Sequence, residues 1–126
     1  MKVTQFHPKE RVIVSLDTDK MLRVFENLLT NAIKYSYEDS EVKVSLWTSN
    51  SEVFISVKNR GDHMDKTKLK NIFDRFYRTD ESRNSSTGGS GLGLAIAKNI
   101  ITMHNGEIWA ESLGNNITFV VKLNIK

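Results

Sequence analysis

The chain has 126 residues, of which 39% are hydrophobic and 26% are charged, with a net charge of +3 and no cysteine. These values predict one globular domain with an ordinary hydrophobic core. No apolar run approaches the roughly 18 residues of a membrane span, and the N-terminus has no signal-peptide pattern. The lack of cysteine excludes disulfides and thiol catalysis and disfavours a structural zinc site. The basic residues are not interleaved with aromatic ones, so we do not expect nucleic-acid binding.

The first predicted elements are a short strand and a long amphipathic helix. Residues 11–16 (RVIVSL) alternate in the way of a strand with one buried face. In residues 19–35 (DKMLRVFENLLTNAIKY), apolar side chains recur every three or four residues, which predicts a helix. Asp17, Thr18 and Asp19 are candidate N-caps. The predicted buried face comprises Met21, Leu22, Phe25, Leu28, Leu29, Ala32 and Ile33.

The other edge of this helix carries polar residues that a core helix does not need. Asn27 and Asn31 lie one turn apart, and Lys34 and Tyr35 continue the same edge. Asparagine is a mediocre helix former because its side chain competes for backbone hydrogen bonds. A solvated helix face is the structural alternative, but two aligned asparagines favour a functional role.

Two hairpins and a second helix are predicted next. Residues 41–47 and 52–59 alternate around a polar turn at 48–51, and residues 107–112 and 117–123 do so around 114–116. The segment 59–64 is predicted to be a loop. A second helix is predicted over 65–77, with Leu69, Ile72, Phe73 and Phe76 on its apolar face.

A glycine-rich segment precedes the third predicted helix. Residues 78–93 (RTDESRNSSTGGSGLG) have no periodicity, which is typical of a lid or binding loop. The helix begins near Leu92 and is expected to end before Gly106. Its predicted buried residues are Leu94, Ala97, Ile100 and Ile101. Glycines before a helix N-terminus suit phosphate binding, yet the P-loop lysine and the third glycine of a dinucleotide motif are missing. A flexible loop therefore remains an equal alternative on spacing alone.

The order of elements predicts an α+β fold. Segregated hairpins favour a mixed, mostly antiparallel sheet with three helices on one face, in a two-layer sandwich.

Four segments then supply a resemblance. ENLLTNAIKYS (26–36), KNRGD (58–62), IFDRFYR (72–78) and GGSGLGLAIAKNI (88–100) resemble, in this order, the catalytic ATP-binding domain of two-component sensor histidine kinases. That family belongs to a wider group of ATPases that includes DNA gyrase, and the chain looks closest to sensors of the vancomycin-resistance type. The resemblance implies the Bergerat fold, one domain over 1–126, ATP and Mg²⁺ as ligands, and a lid over about 78–93.

The resemblance also implies roles for the polar edge of the first helix. Asn31 corresponds to the ligand of the Mg²⁺ that bridges the ATP phosphates, since an amide oxygen is a hard, neutral ligand. Lys34 would contact phosphate, and Tyr35 would lie against the base or ribose. Arg78 is the expected contact of the γ-phosphate.

The adenine-binding motif is altered in this chain. Asn59 stands where the family has an aspartate, His63 replaces a glycine, Met64 replaces an isoleucine, and Gly61 is retained. Because an amide can both accept and donate, Asn59 still suits the base but lacks the charge of a carboxylate. We therefore expect weaker ATP binding with adenine still preferred over guanine. His63 is expected to be a surface residue whose side chain stiffens the loop.

The glycine-rich motif implies further contacts with the triphosphate. Phe73, Phe76 and Tyr77 correspond to the aromatic hinge of the lid. The expected nucleotide contacts are Thr87, Gly89, Ser90, Gly91, Leu92, Gly93 and Leu94.

The resemblance predicts transfer of the γ-phosphoryl group to a histidine on a separate dimerisation domain. None of His7, His63 and His104 begins the family's acceptor pattern, so the acceptor is expected outside this chain. The implied partners are that dimerisation domain and a response regulator. The isolated domain is expected to be monomeric and to derive from the cytoplasmic part of a membrane-anchored sensor.

Two alternatives remain. Related ATPases and anti-sigma-type serine kinases carry a glutamate base at the position of Asn27, and Glu26 is rotated by about 100° on the helix. Asn27 therefore favours transfer to histidine over hydrolysis. A nucleotide-sensing module without transfer activity is the second alternative, supported by the altered adenine motif.

Overall fold

The structure, a computed structural model, describes residues 2–6, 18–74 and 93–124. In chain order these residues form β1 (Lys2–Phe6), α1 (Thr18–Tyr35), β2 (Glu41–Ser49), β3 (Glu52–Arg60), α2 (Lys66–Asn71), α3 (Gly93–Met103), β4 (Glu107–Leu113) and β5 (Asn116–Asn124). Among the described residues no helix is long and apolar enough to cross a membrane.

The strands form one mixed sheet in the order β1-β2-β3-β5-β4. β1 runs parallel to β2, whereas the other neighbours are antiparallel. This agrees with the predicted sheet, but β1 was not predicted, because KVTQF has too weak an alternation to be recognised alone. Its pairing with β2, from Lys2 opposite Glu41 to Phe6 opposite Ser45, defines it as a strand. The strand predicted over 11–16 lies outside the described residues.

The helices and the sheet enclose one hydrophobic core. Apolar side chains from α1, α3 and one face of the sheet form its centre, and Phe73 packs edge-to-face on Phe119 with ring centroids 6.2 Å apart. The buried residues include Met21, Val24, Leu28, Ala32, Val42, Val53, Val57, Leu94, Ala97, Ile100, Ile101, Phe119, Val121 and Leu123. This arrangement confirms the α+β, two-layer prediction.

The opposite face of the sheet carries polar and aromatic side chains. Trp47 stacks on Phe54 at a centroid distance of 5.4 Å. Lys122 bridges Glu52 and Glu107 from the neighbouring strands, at 3.1 and 3.4 Å. Because side chains alternate along a strand, Lys58 belongs to this face while Val57 and Asn59 belong to the core face.

The buried face of α1 differs from the prediction at its edges. Leu22 and Ile33 are 55% and 51% exposed, whereas Val24, which was not in the predicted set, is completely buried. Met21, Val24, Leu28 and Ala32 lie along the centre of one stripe, and at 100° per residue Leu22 and Ile33 lie beyond its border. The helix itself begins at Thr18, so Asp19 lies in its first turn and does not cap it.

The second helix is shorter than predicted. The side chain of Asp65 caps α2 by accepting from the Lys68 N–H at 2.8 Å, and the helix ends at Asn71, not at residue 77. The N–H of Asp74 donates to the carbonyl of Asn71, only three residues earlier, so the α-helical pattern is not continued. Residues 75–77, including Phe76 and Tyr77, lie outside the described residues.

The turns of the two hairpins are tighter than predicted. Asn50 (φ 57°) and Gly114 (φ 60°) occupy the left-handed region in two-residue turns. β3 also continues through Arg60, one residue beyond the predicted strand 52–59 and inside the segment predicted to be loop. α3 closes with Asn105 as its left-handed residue, and the Gly106 N–H donates to the Ile101 carbonyl at 2.9 Å.

Candidate nucleotide-binding site

The polar edge of α1 contacts the first residue of α3. The Asn27 side-chain amide donates to the Gly93 carbonyl at 3.1 Å. The Asn31 amide nitrogen donates to the Asn27 carbonyl at 2.8 Å. A Cβ at Gly93 would lie 3.6 Å from Asn27 Cγ and 3.7 Å from Asn31 Nδ2. The two asparagines and the end of the glycine-rich segment are therefore neighbours.

This junction has the chemistry that a metal–phosphate group needs. Because its nitrogen is engaged, the Asn31 side chain offers its carbonyl oxygen, a hard neutral ligand suited to Mg²⁺. The N-terminus of α3, beginning at Gly93, adds backbone N–H groups and a partial positive charge that favour anions. Both residues are half-buried, which limits screening by water.

Lys34 and Tyr35 lie one turn further along α1. The Lys34 ammonium is 5.3 Å from the centre of the Tyr35 ring, within the range of a cation–π contact. The interaction holds a positive charge and an aromatic face together on the edge that bears Asn31. These are the two chemistries predicted for phosphate and for base or ribose.

The C-terminus of α1 is joined to the end of β3. Ser36 forms a bridge with Gly61, and the Tyr37 N–H donates to the Arg60 carbonyl at 2.8 Å. A Cβ at Gly61 would overlap the Tyr35 carbonyl oxygen, so only glycine permits this approach. The retained glycine of the altered motif thus fixes the distance between α1 and β3.

Asn59 is the buried polar residue of this region. It is 1% exposed and lies on the core face of the sheet, opposite Ile117. Within residues 2–6, 18–74 and 93–124, neither its Nδ2 nor its Oδ1 atom has a hydrogen-bond partner. Leaving a buried amide unpaired costs about 1–3 kcal/mol for each group, which a ligand that pairs with it would recover. The residue predicted to read the base is therefore available to do so.

Asn115 holds the end of β3 in place. Its side-chain amide donates to the Gly61 carbonyl at 3.1 Å and to the Tyr37 hydroxyl at 2.9 Å, and its own carbonyl accepts from the Gly61 N–H at 2.9 Å. Tyr37 donates in turn to Asp62 at 3.0 Å. Desolvation, then the hydrogen bond to Asp62, raises the pKa of Tyr37. Sequence reasoning read Asn115 only as a turn residue.

His63 and Met64 are tied to the same hairpin turn. The Met64 N–H donates to Ser112 Oγ at 3.1 Å, and its side chain is buried. His63 Nδ1 lies 2.7 Å from the Gly114 carbonyl and 2.9 Å from Ser112 Oγ. His63 is exposed, and its bond fastens the loop to the turn between β4 and β5.

The remaining predicted site residues are of two kinds. Leu94 is buried behind the N-terminus of α3, where it packs in the core. Outside the described residues lie Arg78, Thr87, Gly89, Ser90, Gly91 and Leu92, and with them the lid predicted over about 78–93 apart from Gly93.

The site combines two asparagine amides on one helix, the N-terminus of a second helix beside them, and a buried amide on the adjoining sheet that has no partner among the described residues. Together these features indicate a nucleotide-binding domain. The family model of histidine kinase-, DNA gyrase B- and HSP90-like ATPases matches residues 16–126. The chain therefore belongs to this family. Membership implies ATP as the ligand.

The relatives are sensor histidine kinases. Sensor protein VanS of Enterococcus faecium is 48% identical over 122 residues, which cover 97% of this chain and 32% of VanS. The sensor histidine kinase WalK of Bacillus subtilis (strain 168) is 42% identical over 119 residues, covering 90% of this chain and 20% of WalK. The chain thus spans about a third or less of these relatives.

The fold is also that of a kinase catalytic domain. The catalytic domain of histidine kinase ThkA superposes with a TM-score of 0.85 at 29% identity, over 98% of this chain and 78% of that one. A second ThkA structure, in complex with the response regulator protein TrrA, gives 0.82 at 26% identity, over 98% and 34%. These findings confirm the resemblance: this is a catalytic ATP-binding domain of the sensor histidine kinase type.

Proposed function

We propose that this domain binds ATP together with Mg²⁺ and donates the γ-phosphoryl group to a histidine on a separate dimerisation domain of the same kinase. The observation that carries the proposal is the hydrogen bond from Asn27 to Gly93, with Asn31 bonded to Asn27 beside it. It combines a hard oxygen ligand with the N-terminus of a helix. The transfer breaks the bond between the γ-phosphorus and its bridging oxygen, forms a phosphorus–nitrogen bond and releases ADP.

Each residue of the site has a distinct part in this proposal. Asn31 would hold Mg²⁺ through its amide oxygen, and the ion would supply positive charge for the phosphates. Lys34 adds a point charge for phosphate, Tyr35 packs on the base or ribose, and Asn59 pairs with the base. Gly61 and Met64 shape the surroundings of the base. The lid over about 78–93, with Arg78 as the γ-phosphate contact, belongs to the proposal together with Thr87, Gly89, Ser90, Gly91 and Leu92.

Asn27 favours transfer over hydrolysis. Its amide donates to Gly93, and an amide cannot take a proton from water as a carboxylate can. Glu26, the residue before Asn27, is exposed and lies about 100° away around the helix. This supports the kinase over a hydrolase or a serine kinase of the anti-sigma type. A module that senses nucleotide without transfer remains the competing proposal, since the altered motif at Asn59 is its support.

The proposed partners follow from the kinase relatives. The histidine kinase ThkA, whose fold this chain shares, forms a complex with the response regulator protein TrrA, which supports a receiver domain as downstream partner. We assign residues 1–126 to one catalytic domain, monomeric when isolated. Within the full protein we place it on the cytoplasmic side of a membrane-anchored sensor.

The test combines this domain with a histidine-bearing dimerisation domain from a matching sensor and labelled Mg-ATP. We expect acid-labile, base-stable label on the partner, and none when the acceptor histidine is replaced by glutamine. Hydrolysis without label on the partner would support the ATPase alternative. Nucleotide binding without either reaction would support the sensing module.

The same experiment with Asn31→Ala tests the site. Loss of label with this variant, and retention with Thr30→Ala on the exposed side of the same helix, would tie transfer to the polar edge of α1. Equal labelling by both variants would contradict the assignment.

A further inference from the structure

We propose that Asn59 makes the site accept both 6-amino and 6-oxo purine nucleotides, so that inosine triphosphate binds alongside ATP. This inference rests on the proposed nucleotide-binding function and deepens it, because it names the base chemistry that the site reads. It requires that the 6-substituent of the purine faces residue 59.

The observation is that, among the residues the structure describes, no hydrogen bond fixes the orientation of this amide. Asn59 is 1% exposed, and neither of its polar side-chain atoms has a hydrogen-bond partner in the described part of the chain. Its partner across the sheet is the apolar Ile117, and Val57 precedes it on the same face. A Cβ at Gly61 would come to 3.2 Å from Asn59 Nδ2, so the glycine leaves room beside the amide.

The two ends of the amide match two different purine edges. One end accepts and the other donates, and a half-turn about the last side-chain bond exchanges them. Adenine presents a donor at its 6-amino group and an acceptor at N1. Hypoxanthine presents the reverse, an acceptor at its 6-oxo group and a donor at N1. Each edge can therefore pair with Asn59 in one of its two orientations.

A carboxylate at this position would behave differently. It has acceptors only, so a carboxylate that faces the 6-substituent accepts from a 6-amino group and repels a 6-oxo group. With asparagine at this position, the site does not discriminate between a 6-amino and a 6-oxo group. The expected preference for adenine over guanine would then originate at the 2-amino group of guanine, which hypoxanthine lacks. Inosine triphosphate is for this reason the informative probe.

The experiment measures the equilibrium dissociation constants of Mg-ATP, Mg-ITP and Mg-GTP by calorimetric titration, without any transfer reaction. For the unmodified chain we expect the ITP and ATP constants to lie within about tenfold of each other. For Asn59→Asp we expect ITP to bind more than about tenfold more weakly than ATP. Lys58→Gln, on the opposite face of the same strand, should leave all ratios unchanged.

A second variant covers the possibility that a buried carboxylate unfolds the chain. Asn59→Leu removes both polar atoms without adding charge, and a buried apolar side chain is compatible with folding. It should weaken ATP and ITP by a similar factor, about fivefold or more. Circular dichroism checks that each variant is folded.

The outcomes separate this inference from the function on which it rests. Binding of ATP with ITP weaker by more than about tenfold in the unmodified chain overturns the inference but leaves the proposed function. An unchanged ratio in folded Asn59→Asp, or unchanged affinities in Asn59→Leu, overturns it as well. No binding of any of the three nucleotides contradicts the proposed function itself.

Discussion

The side-chain amide of Asn27 and the main-chain carbonyl of Gly93, which are 66 residues apart, are joined by a hydrogen bond of 3.1 Å. Asn27 belongs to the middle of α1, and Gly93 is the residue at which α3 begins. The bond therefore fixes the end of the glycine-rich segment against the helix that carries Asn31. It gives Asn27 a positioning role besides its predicted role in favouring transfer.

Asn27→Ala should lower stability through the loss of this bond. A neutral hydrogen bond contributes about 1 kcal/mol, partly offset because alanine is the better helix former by up to about 0.7 kcal/mol. Thr30→Ala on the exposed side of α1 measures the propensity gain alone. Urea unfolding of both variants should place Asn27→Ala below Thr30→Ala by about 1 kcal/mol. Equal free energies of unfolding would mean that the bond contributes nothing.

Asn27→Glu should raise ATP hydrolysis. A carboxylate at this position supplies the base that can activate a water molecule, and related ATPases carry a glutamate there. Phosphate release by the folded variant, compared with Asn27→Gln, measures the effect, because glutamine has the same length but cannot act as a base. Equal release by the two variants would show that the position does not control the fate of the phosphoryl group.

Asn31→Ala should abolish Mg²⁺-dependent ATP binding while the domain stays folded. The variant loses the amide oxygen offered to the metal, and the bond lost to the Asn27 carbonyl lies within the helix. ATP titrations with and without Mg²⁺ separate the two contributions, and Thr30→Ala again serves as the control. Metal-dependent affinity that persists in Asn31→Ala would disprove its assignment as ligand.

Gly61→Ala should reduce both stability and nucleotide affinity. The added Cβ overlaps the Tyr35 carbonyl oxygen, so α1 and β3 must separate, at a cost of about 1–3 kcal/mol. Gly106→Ala is the matched control, because its Cβ overlaps the Lys122 carbonyl oxygen beside Leu123, at the other end of α3. Thermal unfolding should show losses in both variants, and titration at low temperature should show weaker ATP binding only in Gly61→Ala.

The pair formed by Tyr37 and Asp62 should make stability fall at high pH. Desolvation and then the hydrogen bond to Asp62 raise the pKa of Tyr37 above its ordinary value of 10.0. The neutral phenol therefore stabilises the folded chain below pH 10.0, and this contribution disappears as the pH rises through the folded-state pKa.

Substitutions around Tyr37 should move its titration in opposite directions. Asp62→Asn removes a raising contribution and should lower the pKa, whereas Asn115→Ala removes a lowering one and should raise it. Absorbance titration of the phenolate, with Tyr37→Phe as the reference for the other two tyrosines, follows the change. Shifts of the same sign in both variants would contradict the hydrogen-bond arrangement.

The spacing of apolar residues predicted the layers of this fold, because an element that buries one side has apolar residues at the period of its own geometry. The faces of both hairpins and the buried set of α3 follow directly from alternation and helical spacing. The same reasoning placed Leu22 and Ile33 in the core. The sequence does not show whether an apolar side chain at the border of a helical stripe is buried by neighbouring elements. β1 escaped recognition since its structure depends on pairing with β2 and not on its own residues.

The site was predictable where a residue type is unusual for its element. Two asparagines inside a helix and a run of glycines before another attract attention from sequence alone. Asn115 does not, because asparagine beside glycine is common in a turn and indicates no further role. Its bonds to Gly61 and Tyr37 depend on a contact between segments 54 and 78 residues apart, which no local pattern encodes.

The junction of Tyr35 with Gly61 fixes where α1 lies relative to the end of β3. Asn31, beside the start of α3, and Tyr35, against the end of β3, lie four positions apart on the helix, a rise of about 6 Å. The distance between the two halves of the site is therefore set by the number of helical residues between Asn31 and Tyr35. Inserting or deleting one residue between them would turn Asn31 by about 100° relative to Gly61 and remove it from Gly93, whatever side chain was added. Between these two positions, the number of residues is therefore constrained as well as their identity.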